Sequence, residues 1–154
     1  MCIRDRDDKF PLHWAALTGN ETIVRYLVDE NQCNPSCKDK FRITPLHIAA
    51  RQGHLAIVKY LTMDKNCDPL CCTIDGDTPL HYAAKFKQKK VIKFFVDALH
   101  CPPHIKGKCG MTPLEVASTM NHSKIVMHLE LALPLHYAAS VSYTHLTLPT
   151  IYSV

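Results

Sequence analysis

Apolar positions along the chain recur as pairs of short helical stripes. In TPLHIAA, residues 44–50, Leu46, Ala49 and Ala50 fall on one helical face at three- and four-residue spacing. Ile57, Val58 and Leu61 form a second stripe a few residues later, with Tyr60 amphipathic beside them. Thr44 is placed to cap the first helix, because its hydroxyl accepts from an orphan N–H of the opening turn. Pro45 suits the first helical position, where its missing N–H costs nothing. Gly53 can take the left-handed conformation that ends the helix. The segment therefore reads as a short helix, a turn, a longer helix and an extended return.

This segment is one of a series. Pro-Leu pairs begin at Pro11, Pro45, Pro79 and Pro113, each step being 34 residues. The second stripe has counterparts in Ile23, Val24 and Leu27, in Val91, Ile92 and Phe95, and in Ile125, Val126 and Leu129. Two helices cannot bury two apolar faces by themselves, whereas units stacked in line can. The pattern predicts a solenoid of helix pairs.

TPLH stands at Thr44–His47 and again at Thr78–His81, and Gly53–His54 follows as the turn. This resembles the ankyrin repeat, whose signature is a TPLH-x-A-A helix, a G-H turn, an IV-x-x-L helix and a hairpin. The resemblance covers residues 7 to about 132 and implies an all-α solenoid of stacked helix-turn-helix units with short β-hairpin or loop fingers. The implied units are 7–40, 41–74, 75–108 and a partial 109–132. The family period is usually about 33 residues. Here the extra residue lies between the second helix and the hairpin, in Asn31–Cys37 and its counterparts. Phe10 replaces the capping Thr of the first unit, which predicts a helix about 1 kcal/mol less well capped. Glu115 replaces the fourth His. Lys87 and Asn121 stand at the turn glycine, and Arg42 stands where Gly76 and Gly110 keep the hairpin glycine.

The ends break the pattern. MCIRDR, residues 1–6, reads like a translated transposase-type sequencing adaptor, and VSYTHLTLPT, from residue 141, like its reverse complement. Residues 1–6 and 141–154 are therefore expected to be an adaptor-derived scar and tail. PLHYAA, at residues 79–84, returns at 134–139, only 21 residues after Pro113. That is too soon to stack in register, so residues 133–140 read as a misjoined repeat fragment. On this reading the chain is a window on a longer protein.

Composition narrows the class. With 47% hydrophobic and 21% charged residues the chain is globular rather than disordered. No apolar run approaches membrane-spanning length. A net charge of +4 is too small to argue for nucleic acid or a membrane surface. Cys33, Cys67 and Cys101 are spaced by 34, as are Cys37 and Cys71. The resemblance places them at positions that carry Ala, and a free Cys packs as a small hydrophobe. An odd number of periodic thiols fits a reducing compartment. An intracellular setting is expected, the cytoplasm first.

His100, Cys101, His104 and Cys109 cluster in HCPPHIKGKC, but zinc needs four converging ligands. The CxxxC pairs of neighbouring units sit about 10 Å apart across stacked helices. A metal site is not expected, and a Cys/His metal module is the weaker alternative. His13, His47 and His81 are periodic, which points to structural hydrogen bonding. No nucleotide, hydrolase or metalloprotease motif is present. The reading is non-catalytic, without cofactor. The lysines of Lys85–Lys93 read as a solvated face, because Val91 and Ile92 continue the buried stripe.

A protein partner of unspecified identity is what the resemblance implies. The family binds through hairpin tips and first-helix ends. Carried over, the candidate residues are Lys40, Phe41 and Ile43; Ile74, Asp75 and Asp77; Lys108 and Met111; and, at the helix ends, Arg51, Gln52, Lys85 and Phe86. Cys109, Leu17, Thr18, Ser118 and Thr119 hold equivalent places. A row of apolar side chains at such positions suggests an interface. The alternative is a regulatory array within a larger enzyme, channel or receptor. Self-association through uncapped ends is also expected.

Overall fold

The four Pro-Leu pairs of the 34-residue series, at Pro11, Pro45, Pro79 and Pro113, each open a helix. The computed structural model describes residue 6 and residues 9–132. The adaptor-like ends, Arg6 apart, and the second PLHYAA segment lie outside the described residues. Four first helices, α1 (Pro11–Thr18), α3 (Pro45–Gln52), α5 (Pro79–Lys85) and α7 (Pro113–Thr119), alternate with four second helices. The second helices are α2 (Glu21–Asp29), α4 (Leu55–Lys59), α6 (Lys89–Lys93) and α8 (Ser123–Leu131). In the middle units α4 runs on into a π-helical turn, Tyr60–Asp64, and α6 into another, Phe94–Ala98.

The core runs through all four units. Leu12, Leu46, Leu80 and Leu114 are buried in register, as are the alanine pairs Ala49–Ala50 and Ala83–Ala84. Small side chains there let successive first helices approach closely, and these pack more extensively than successive second helices do. A stack that is tighter on one side bends towards it, which puts the first helices on the inner side. Tyr60, amphipathic in sequence, is buried, and its hydroxyl donates to Asp29 Oδ1 at 2.9 Å.

The thirty-fourth residue has a visible home. Two N–H groups, of Glu30 and Asn31, converge on the Tyr26 carbonyl at 3.0 and 3.2 Å. Lys65 N–H reaches Tyr60 O at 3.1 Å and Leu99 N–H reaches Phe94 O at 3.2 Å, five residues back in each case. Each widened turn is followed by a left-handed residue, Gln32, Asn66 or His100, at φ of 50–52°. The next N–H, of Cys33, Cys67 or Cys101, then bonds 2.9 Å to Leu27, Leu61 or Phe95 O. The extra residue thus widens the end of the second helix and leaves the stacking register intact.

The turn positions behave as their glycines suggest. Gly19, Gly53, Lys87 and Asn121 are all left-handed, at φ of 76°, 81°, 60° and 56°. For lysine that conformation costs about 1 kcal/mol. Lys87→Gly is therefore expected to raise stability by roughly 0.5–1 kcal/mol in urea unfolding. An unchanged or lower midpoint would show that the Lys87 side chain offsets its backbone strain.

Among the described residues the fingers form no regular strand. They keep hairpin bonding all the same. Asp39 N–H bonds to Ile43 O at 3.0 Å and Arg42 N–H to Asp39 O at 2.9 Å. Thr73 with Asp77 and Gly107 with Met111 repeat the outer bond at 3.1 and 2.9 Å. Arg42, Gly76 and Gly110 occupy the left-handed place after each tight turn, at φ of 60°, 73° and 75°.

Candidate protein interface

Three ladders of hydrogen bonds hold the exposed residues of the fingers and first-helix ends. The first uses the periodic histidines. His47 Nδ1 accepts from Thr44 N–H at 3.2 Å and lies 2.9 Å from the Thr44 hydroxyl. Its Nε2 therefore carries the proton and donates 3.1 Å to Asp77 O in the next unit. His81 does the same, from Thr78 to Met111 O at 3.1 Å. His13 pairs with Phe10 N–H at 3.1 Å and with Ile43 O at 2.9 Å. Phe10 supplies no side-chain cap, in line with the sequence. Glu115 accepts from Thr112 N–H at 2.7 Å, keeping the half of the bonding that lies within a unit. A carboxylate has no N–H to offer a neighbour, so the lateral series stops at His81.

Burial pushes His47 down to about 4 and lowers His13 and His81 as well, against the opposing pull of the carbonyls they face. All three are thus held neutral at physiological pH. Bonded at both ring nitrogens, they pin one unit to the next.

The second ladder starts just after the turn. His54 Nε2 lies 3.3 Å from Leu17 O, Gln88 Nε2 donates 2.8 Å to Arg51 O, and His122 Nδ1 lies 3.0 Å from Ala84 O. Each fixes the end of the preceding unit's first helix. The third ladder joins fingers. Ile74 N–H donates 3.0 Å to Phe41 O, and Lys108 N–H donates 2.6 Å to Asp75 O.

On this frame most of the sequence-selected residues point to solvent. Phe41 and Ile74 are each 46% exposed, Phe86 40% and Met111 42%. Lys40, Arg51, Gln52, Asp75, Lys85 and Lys108 are exposed too, while Ile43 and Asp77 are half-buried. The last two give backbone carbonyls to the histidine ladder, so their main chain is structural whatever their side chains do. Arg51 and Phe86, from adjacent helix ends, meet: the guanidinium stands 4.6 Å from the ring centroid. Lys40 Nζ lies 5.2 Å from the Phe41 ring. Both pairs present an aromatic face flanked by a cation.

Sequence reasoning missed the residues that shape the fingers. Buried Asp39 accepts from Phe41 N–H at 2.9 Å and Ile43 N–H at 2.8 Å through Oδ1. Thr73, 34 residues on, accepts from Asp75 N–H at 3.3 Å. The signal was available: a short polar side chain two residues before a turn tip bonds the backbone ahead of it.

The other candidates take structural places. The five lysines of residues 85–93 are exposed, and Val91 and Ile92 are buried. Cys37 and Cys71 each lie 3.9 Å from a ladder histidine, His13 and His47. Burial pushes the thiols of Cys37 up to about 12 and of Cys71 and Cys101 to about 11, so they stay protonated. Cys33 corrects the expectation of free thiols, since it is disulfide-bonded. The other six described cysteines are free. Among the described residues no three His, Cys, Asp or Glu side chains gather at ion-binding spacing, those of HCPPHIKGKC included. No described helix is long and apolar enough to cross a membrane.

A stack of helix pairs locked by buried TPLH histidines defines a repeat solenoid. The family model for ankyrin repeats (3 copies) matches residues 1–71 and again 62–132, and the chain belongs to that family. Ankyrin repeats generally serve protein–protein interaction. A stretch of 36 residues is 42% identical to the 26S proteasome non-ATPase regulatory subunit 10 of Dictyostelium discoideum. That stretch is 23% of this chain and 16% of the relative, so the likeness covers a small part of both.

Proposed function

We propose that the array is a non-catalytic module that binds a protein partner along its fingers and first-helix ends, on the concave side. One observation carries this reading. Phe41, Ile74, Phe86 and Met111 keep 40–46% of their surface open on a backbone that three ladders hold rigid. Packing does not demand those side chains, and a row of apolar groups on one rigid face is a surface made for another molecule. Phe86 under Arg51 and Phe41 beside Lys40 are the anchors, because desolvated aromatic and arginine groups dominate protein interfaces. The partner is a protein surface with apolar knobs and carboxylates to meet those two cation-flanked rings. The reading extends to an intracellular, cytoplasmic setting and needs no cofactor. The relative's description as a non-ATPase regulatory subunit agrees with a role without catalysis.

The double variant Phe41→Ser with Phe86→Ser tests it. Two lost anchors of about 2 kcal/mol each should weaken partner capture by roughly 1000-fold. The helical circular dichroism and the unfolding midpoint should hold. Capture that survives would remove these rings from the interface. A collapsed helical signal would mean they pack for stability.

A further inference from the structure

A band of positive charge follows the edge where first helices turn into second ones. That edge is the end of each helix pair remote from the fingers. Lys85, Lys87, Lys89, Lys90 and Lys93 all stand exposed there in the third unit. Lys59 continues the band into the second unit and Lys124 into the fourth, both exposed. Residues 51–59, 85–93 and 119–127, which make the edge in these three units, contain no Asp or Glu. Among the described residues neither the five lysines nor Lys124 has a carboxylate partner. By contrast Arg25 pairs with Glu21 and Asp64, and Lys65 with Asp29.

Water explains why each lysine is exposed, but not why they gather. The repeat does not ask for them. At the places of Lys89 and Lys90 the other units carry Glu21 and Thr22, Leu55 and Ala56, and Ser123 and Lys124. At the place of Lys87 two units carry glycine, yet Lys87 holds the left-handed φ of 60°. Strain kept at a surface position points to a use for its side chain. Lys89 and Lys93, one helical turn apart, also repel each other.

We propose that this edge seats an acidic peptide segment of a partner protein, laid in extended form across the second, third and fourth units. Stacked helices advance by about 10 Å per unit, so the band is about 20 Å long and about six extended residues cover it. The band is also narrow, because Asp64, Asp97 and Glu130 stand farther along the second helices, towards the fingers. A strip of that width suits one chain of carboxylates better than the plane of a membrane or the width of a duplex. Single-stranded nucleic acid binds by stacking on aromatic platforms. Apart from the ladder histidines, Phe86 is the single aromatic residue of those three stretches, and the Arg51 guanidinium already stands over its ring at 4.6 Å. The seat is separate from the proposed finger interface and stands or falls without it.

Fluorescence anisotropy of a dye-labelled octaglutamate, added to the full chain, tests the proposal. Octaglutamate should bind, and more weakly as salt rises. Lys89→Glu with Lys90→Glu should weaken binding at least roughly ten-fold. Lys38→Glu with Lys106→Glu makes the same change of net charge at exposed lysines outside the band, and should alter binding less than about two-fold. The helical circular dichroism should hold in the first variant, since acidic residues suit the first turn of a helix. No binding of octaglutamate, or equal weakening by the two double variants, would overturn the proposal. Tighter binding of octauridylate would give the band to a nucleic acid, and tighter binding to phosphatidylserine vesicles would give it to a membrane; either result would overturn it too.

Discussion

Replacing His47 by Ala is expected to cost the array about 3–4 kcal/mol. The imidazole is fully buried and bonded at both nitrogens. Its removal orphans the Thr44 N–H and the Asp77 carbonyl, and each buried unpaired group costs about 1–3 kcal/mol. The vacated volume adds a cavity term. The loss falls on the junction between the second and third units, so a linear stack should also lose cooperativity there. Urea unfolding followed by circular dichroism should show a lower midpoint and a broader transition. His54→Ala, which removes one longer lateral bond of 3.3 Å, should cost only about 1 kcal/mol. A His47→Ala loss no greater than that of His54→Ala would contradict the pinning role.

The same histidines make stability fall in mild acid. Above an unfolded-state value near 6.5, His47 is neutral in both states and contributes nothing to the pH dependence. Below it the unfolded chain takes up a proton that the folded chain refuses until about 4. Stability is therefore lost as pH falls through this window, and the slope from His47 flattens below it. The difference amounts to roughly 3 kcal/mol for His47. His13 and His81 are lowered by the same burial and act in the same direction. The midpoint of urea unfolding, measured from pH 7 to pH 4, should drop steeply. In His47→Gln the drop should be shallower, because one of the three proton-refusing groups is gone. A flat profile across this range would contradict histidines held neutral by burial.

Much of this is legible in the sequence. The Pro-Leu period locates all four first helices, since a proline at the first helical position is local chemistry that even Phe10, in place of the capping threonine, does not undo. Lys87, Asn121 and Arg42 could be assigned to left-handed places because glycines mark the same places in other units. Gln32, Asn66 and His100 could not, although they share that conformation, because no unit carries a glycine there to mark it. The π-helical turns were hidden for a related reason. A widened turn depends on where one carbonyl finds its donor, and apolar spacing does not report that. The periodicity places Ile23 on a buried stripe, yet it is 46% exposed, because burial needs a neighbour and a sequence period does not report one. The fingers' apolar side chains are legible by position, but how the tips fold is not, as Asp39 shows at Phe41 and Ile43 and Thr73 at Asp75.

On the proposed function, a partner protein lies against the fingers and first-helix ends. Site-specific photo-crosslinking tests it most directly. A benzophenone side chain is placed at Phe86 in one protein and at Met63, exposed beyond the second helix α4, in another. Adducts with the captured partner should form from position 86 and be absent from position 63. Adducts from position 63 alone, or equally from both, would contradict it.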